Sequence, residues 1–215
     1  MRIGIYGGTF NPIHRGHLTA AAAAAKQLCL DKLLLVPDAI PPHKPLPAGS
    51  ADAADRLEMV QLCTGELPVP AEVMDLELRR QGASYSCDTL AALREQYPAD
   101  ELFFLMGSDM FLSFETWRRP EEICRLATLA VFSRRTADEA AAFARQKEKL
   151  EKAFSARVTV VMNPEVIEVS STQLREELAR GRGRAYLTEP VYGYILRKDM
   201  EKNTVTVGPN EALFS

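Results

Sequence analysis

Short, continuously apolar runs alternate along this chain with longer stretches of helical periodicity, and that alternation restricts the fold more than any other feature. Strand-length runs are read at residues 2–6, 32–36, 69–74, 101–106, 128–133 and 157–162, with helices near 17–29, 51–64, 85–97, 136–154 and 171–180. Runs such as Leu33-Leu34-Leu35-Val36 and Leu102-Phe103-Phe104-Leu105 show no polar alternation, as expected of strands covered on both faces. A strand–helix–strand order of this kind implies right-handed crossovers and a parallel sheet flanked by helices. The expected fold class is therefore α/β: a Rossmann-like, doubly wound parallel sheet with a small helical C-terminal part. Residues 1–200 are expected to form one domain, and residues 201–215 a tail.

Composition removes several classes of function. The 215 residues suffice for a sizeable core, and an apolar content of 47% with 26% charged residues is ordinary for a globular protein. A net charge of −3 argues against a broadly basic nucleic-acid-binding surface, so nucleic acid is not an expected partner and any phosphate site must be local and pre-shaped. No apolar run approaches the ~20 residues needed to span a bilayer. The N-terminus also lacks the order of a signal peptide. Cys29, Cys63, Cys87 and Cys124 have no CxxC spacing, which speaks for reduced thiols rather than a zinc site or disulfides. A cytoplasmic protein without a metal held by its own side chains is expected; self-association is left open.

In doubly wound sheets, ligands bind beyond the carboxyl ends of the strands, at the point where the strand order reverses. The chemistry-bearing residues cluster at such ends. Gly7-Gly8-Thr9-Phe10-Asn11-Pro12-Ile13-His14-Arg15-Gly16-His17 follows the first strand and opens an alanine-rich helix. Neither GxGxxG nor a Walker A loop is present. Gly7 and Gly8 instead allow close approach of the backbone, whose N–H groups with that of Thr9 can meet anionic oxygens. Gly16 permits tight packing at the helix start. His14 and His17 lie three residues apart, where the helix dipole already favours an anion. Neutral imidazoles there would donate hydrogen bonds to a phosphoryl group, and protonated ones would add charge. A helix cap plus a surface histidine is the bland alternative.

Further along, Val36 to Lys44 forms a loop stiffened by three prolines that brings His43 and Lys44 together. A phosphate-binding Lys44 and a solvated one are both compatible with that pattern. Ser84-Tyr85-Ser86-Cys87-Asp88-Thr89 opens a helix, and capping alone accounts for its hydroxyls. Gly107-Ser108-Asp109 ends a buried strand, and Asp109 could accept from ribose hydroxyls or hold a metal through water. Trp117, the single tryptophan, is either core or a stacking surface. Val169-Ser170-Ser171-Thr172-Gln173-Leu174-Arg175 begins the last of the helices read above. Ser170 with Gln173 fits a capping box, while three hydroxyls plus Arg175 exceed what a cap needs and would suit a triphosphate.

GGTFNPIHRGH closely resembles the GG(S/T)F(N/D)PxHxGH signature of the nucleotidyltransferase superfamily, in particular its nicotinate-nucleotide adenylyltransferase branch. The Pro-Pro-His-Lys loop, the segment ending Asp88-Thr89 and Val169-Ser170-Ser171-Thr172 to Arg175 are similar to further motifs of that family, so the resemblance spans nearly the whole chain. It implies that His14 and His17 contact ATP phosphates and stabilise the transition state. It implies ATP contacts at Gly7, Gly8, Thr9, Phe10, Gly16, Ser170, Ser171, Thr172 and Arg175. Nicotinate mononucleotide would be held by Lys44, Ser86, Asp109, Trp117 and Arg134. The chain departs from the family twice: Ser86 stands where threonine is usual, and Arg134-Arg135-Thr136 where Arg-Pro-Gly is common.

What the resemblance implies is adenylyl transfer from ATP to nicotinate mononucleotide, giving deamido-NAD and pyrophosphate, with Mg²⁺ carried on substrate oxygens. The amidated nucleotide or phosphopantetheine are alternative acceptors. A nucleotide sensor without catalysis is a second class of reading. A fragment of an aminoacyl-tRNA synthetase is a third, although the chain lacks its Lys-Met-Ser-Lys-Ser-like loop.

Overall fold

A computed structural model describes residues 1–39, 46, 50–80, 82–133, 137–162, 167 and 169–206; for residues 137–138 and 200–206 it describes the backbone alone. Among the described residues the strands are β1 (Arg2–Gly8), β2 (Lys32–Pro37), β3 (Ala71–Val73), β4 (Glu101–Met106), β5 (Thr128–Ser133) and β6 (Val158–Met162). The first four helices are α1 (Arg15–Gln27), α2 (Ala53–Gln61), α3 (Ser86–Gln96) and α4 (Ser108–Leu112). After them come α5 (Pro120–Leu126), α6 (Ala137–Phe154), α7 (Ser171–Ala179) and α8 (Glu189–Thr206).

All six strands pair in parallel in the order β3-β2-β1-β4-β5-β6, so the chain reverses direction across the sheet between β1 and β4. This is the doubly wound α/β sheet expected from the apolar runs. The register sets Tyr6 beside Leu35 on one side and Leu105 on the other, which lines up the strand ends that carry the site.

The period of two within each strand divides the core. Ile3, Ile5, Leu34, Val36 and Phe104 point to one face and pack with Leu90 and Leu93 of α3, Ile123 of α5 and Leu150 of α6. Leu33, Leu35, Phe103 and Leu105 point to the other face, against Leu18, Ala21 and Ala25 of α1, Val60 of α2 and Leu174 of α7. Small alanines on α1 let that helix lie close to the sheet, holding its N-terminus near the end of β1. Truncating a fully buried residue such as Leu34 to Ala would cost about 2–5 kcal/mol.

The differences from the sequence reading have physical causes. β1 continues through Gly7 and Gly8, because both pair in register with Val36 and Pro37 rather than turning away. α4 and α5 are five and seven residues long, too short to show a 3.6-residue period. Among the described residues no strand follows α8 to mark its end, although Thr188-Glu189-Pro190 is a helix-start pattern. It extends to Thr206, across the boundary read at residue 200. The thiols of Cys63, Cys87 and Cys124 are buried and that of Cys29 is exposed; all four are free.

Candidate active site

His14 is the N-cap of α1 and His17 its third residue. Extended backbone at His14 turns the chain so that the two rings lie against each other at a tilt, centroids 3.8 Å apart and planes inclined by 39°. The His14 N–H donates to His17 Nδ1 at 3.2 Å. A neutral His17 therefore carries its proton on Nε2, leaving that edge as a donor. Phe10, in the left-handed region at φ 46° and almost fully buried, holds the His17 ring edge-on at 5.2 Å. Burial pushes the His14 imidazole down to about 4, and burial together with the neighbouring His14 holds His17 well below the ordinary range. Both rings are neutral at pH 7. Burial is the main cause in both. His14 Nδ1 is buried with no partner among the described residues.

The start of α7 meets this turn directly. Arg175 donates through Nη1 to the Asn11 carbonyl at 2.7 Å and through Nη2 to the Thr172 hydroxyl at 3.2 Å. The Ser171 hydroxyl donates to the Pro12 carbonyl at 3.3 Å. Ser170 caps the helix, its Oγ accepting from the Gln173 N–H at 3.1 Å while its own N–H donates to Gln173 Oε1 at 3.0 Å. Two motifs about 160 residues apart in sequence thus share a hydrogen-bonded seam.

That seam borders a cavity of about 570 Å³ beyond the carboxyl ends of β1 and β4. Of the residues singled out in the sequence, Gly7, Gly8, Thr9, Phe10, His17, Ser86, Asp109, Trp117, Ser171, Thr172 and Arg175 line it. His14 and Gly16 instead line a smaller cavity of about 220 Å³ with Gly107, Asp109, Phe132 and Val169. Asp109 belongs to both, so the two spaces adjoin. Ser170 lines neither. Lys44, His43 and Arg134 lie outside the described residues.

Sequence reasoning missed Asn11, Asp38, Glu77 and Ser84, which also line the larger cavity. Asn11 and Asp38 stood inside motifs already quoted; nothing in the local pattern marked Glu77. Burial pushes the carboxyl groups of Asp38 and Glu77 up, against the lowering effect of hydrogen bonds from Thr9 to Asp38 and from Thr89 and Ser84 to Glu77. Ser86 is the first residue of α3, whose cap Tyr85 supplies no side-chain acceptor. Ser86 brings that helix start to the cavity wall. Trp117 packs against Phe114 and Phe104, with ring centroids 5.4 and 6.1 Å away. Among the described residues no three or more His, Cys, Asp or Glu side chains gather as a metal site, and no helix is long and apolar enough to cross a membrane. Among the described residues the arrangement offers neutral imidazole donors, the Arg175 guanidinium, hydroxyls and the N-termini of α1, α3 and α7: equipment for binding and stabilising phosphoryl charge.

Fold and site together define a nucleotide-binding α/β protein with helix starts gathered at the strand reversal. Residues 5–177 match the cytidylyltransferase-like family model. The chain belongs to that family, in its nicotinate-nucleotide adenylyltransferase branch. It is 41% identical over 204 residues to a protein of Gloeobacter violaceus named "Probable nicotinate-nucleotide adenylyltransferase", covering 93% of this chain and 95% of that one. A protein of the same name from Thermus thermophilus is 43% identical over 186 residues, covering 86% and 91%. The fold matches the Plasmodium falciparum nicotinic acid mononucleotide adenylyltransferase complexed with NaAD at a TM-score of 0.71 and 17% identity, over 92% of this chain and 96% of that chain.

Proposed function

We propose that the protein transfers the adenylyl group of ATP to nicotinate mononucleotide, releasing pyrophosphate and forming deamido-NAD, a step of NAD biosynthesis. The names of the relatives support this reading. The observation that carries it is that His17 and Arg175, with Ser171 and Thr172, line one cavity. The activity is assigned to a single domain, read in the sequence as residues 1–200 with 201–215 as a tail, of which α8 takes in the stretch to Thr206.

The nucleotide's 5′-phosphate is already anionic near neutral pH, so attack in line on the ATP α-phosphorus requires no general base. Catalysis then comes from positioning and from stabilising spread negative charge. His17 donates from Nε2 to an oxygen of the reacting phosphoryl group, and the neutral His14 ring backs it. Arg175, Ser171, Thr172 and the N-terminus of α7 hold the departing phosphates, with the turn from Gly7 to Phe10 beneath them. Adenosine occupies the smaller cavity, where Gly16 leaves room and Phe132 and Val169 are apolar walls; Asp109, shared by both cavities, accepts from the ribose of nicotinate mononucleotide. The pyridine ring lies along Trp117, its carboxylate at Ser86 and the start of α3. Lys44 and Arg134 complete the mononucleotide contacts. Asp109, an exposed oxygen donor shared by both cavities, would help hold Mg²⁺ carried on ATP, and that cation would supply neutralisation of the phosphate charge.

The test is turnover. With ATP and Mg²⁺, the protein is offered nicotinate mononucleotide, its amide and phosphopantetheine, and pyrophosphate and dinucleotide are followed. Fastest turnover on the acid is expected. A faster rate on the amide or on phosphopantetheine would reassign the acceptor, and no pyrophosphate with any acceptor would remove the enzymatic reading.

A further inference from the structure

Arg56, in α2, is fully buried at 0% exposure. Its Nη1 donates to the Thr9 carbonyl at 2.7 Å and to Asp38 Oδ1 at 3.3 Å, and its Nη2 to the Ala39 carbonyl at 3.3 Å. Asp38 Oδ2 accepts from the Thr9 hydroxyl at 2.7 Å, and the Asp38 N–H donates to the Gly8 carbonyl at 3.0 Å. The network continues from the Ala39 N–H to Ser84 Oγ at 3.1 Å. One guanidinium thus joins the ends of β1 and β2 and, through Ala39, the approach to α3. Thr9, Asp38 and Ser84 line the larger cavity, whereas Arg56 stands behind its wall.

Taking a guanidinium out of water is costly, and here Nε finds no partner among the described residues. Helix packing does not require an arginine at this point; a buried apolar residue would fill the space without that cost. What the charge does require is visible on its other side. Asp38 faces a cavity lined by Glu77 as well, and a site that admits phosphates cannot leave such carboxylates uncompensated. Repulsion between an unscreened carboxylate and a phosphate grows as the local dielectric falls.

We propose that Arg56 is a positioning residue that cancels the charge of Asp38 and locks the Thr9 turn against it, so that the larger cavity admits phosphate-bearing anions. This rests on the reading that the cavity takes such anions. Arg56 touches no substrate; its effect passes through Thr9 and Asp38. Burial raising the Asp38 carboxyl while Arg56 lowers it is consistent with this pairing.

The test compares the parent protein with Arg56→Met and with Arg56→Met/Asp38→Asn, using calorimetric binding of ATP and of pyrophosphate beside steady-state kinetics. Methionine keeps much of the packing, and asparagine keeps an acceptor for the Thr9 hydroxyl while removing the charge. Arg56→Met should weaken both anions at least tenfold and raise KM more than it lowers kcat. The double variant should return to within threefold of the parent, a rescue that lost packing alone would not give. Parental affinity in Arg56→Met overturns the proposal, as does a folded double variant that binds as weakly as the single one. If Arg56→Met does not fold, the double variant is read against the parent, and a tenfold weakening overturns the proposal. A parent that binds both anions but makes no dinucleotide refutes the proposed function and leaves this comparison intact; a parent that binds neither overturns both.

Discussion

The starts of α1 and α7 face each other across one seam, yet they divide their duties in opposite ways. At α1 the residues at the capping positions, His14 and His17, are the very side chains that line the cavities, and His14 is only 6% exposed. At α7 capping is delegated to Ser170 and Gln173, both exposed, which leaves Ser171, Thr172 and Arg175 to line the cavity. The buried start suits the phosphorus that reacts, because fixed donors act most strongly where water is excluded. The exposed start suits the phosphates that must leave. A helix N-terminus attracts anions in either setting; burial decides whether it grips them or lets them go.

The sharpest way to break this contrast is at the buried end. His17→Ala should lower turnover by about a hundred- to a thousandfold while the circular dichroism spectrum stays that of the parent; near-normal pyrophosphate release from a folded variant would refute the role. Gly16→Ala should cost roughly ten- to a hundredfold. A Cβ there would meet His14 Cε1 and Nδ1 at 3.0 Å and the Ile167 carbonyl at 3.4 Å, so the His14 ring must shift. Unchanged kcat would mean that the His14 position is unimportant.

At the exposed end the losses should be smaller and fall on ATP binding. Arg175→Lys keeps charge but cannot hold both the Asn11 carbonyl and Thr172, and KM for ATP should rise about tenfold with kcat less affected. A kcat loss exceeding the KM rise would move Arg175 from holding the departing phosphates to stabilising the reacting centre.

Acid sharpens the contrast differently. The folded-state pKa of His14 lies at about 4, below its ordinary value of 6.5, so the unfolded chain takes up the proton first. Its contribution to stability is full above pH 6.5 and is lost as pH falls towards 4, at up to about 1.4 kcal/mol per pH unit. Asp38 and Glu77, raised by burial, act in the opposite sense, adding stability at low pH that is lost as pH rises through their folded values. Thermal melts of the parent and His14→Gln isolate the histidine part: the parent should lose more stability on acidification, and parallel curves would contradict it. Bound ATP should raise both imidazole pKa values in an NMR titration; no movement would count against phosphate contact. The smallest effect is expected from Ser170→Ala, which removes the α7 cap and should cost about 1 kcal/mol in stability. Its KM for ATP should rise less than that of Thr172→Ala; the reverse order would give Ser170 a ligand as well as a helix.

Much of this was legible beforehand where a pattern repeats or a motif is dense. β4 and β5 lie where their apolar runs placed them, since buried parallel strands write themselves as unbroken hydrophobic stretches. The His14–His17 turn and the Ser171–Arg175 turn were visible because several special residues crowd into few positions. Asp38 and Glu77 were not, because a single carboxylate in a loop looks the same whether it faces solvent or a cavity. Arg56 was hidden for a related reason: in sequence it reads as one more charge on a helix surface, and only three-dimensional packing puts it at 0% exposure.

One consequence follows from the donor that holds His17 Nδ1. It is a main-chain amide, so turning the ring over would forfeit this bond, whatever side chain occupies position 14. Only a proline there, which has no amide hydrogen, would release it. Tautomer selection at residue 17 is thereby written into the polypeptide backbone, beyond the reach of most single substitutions.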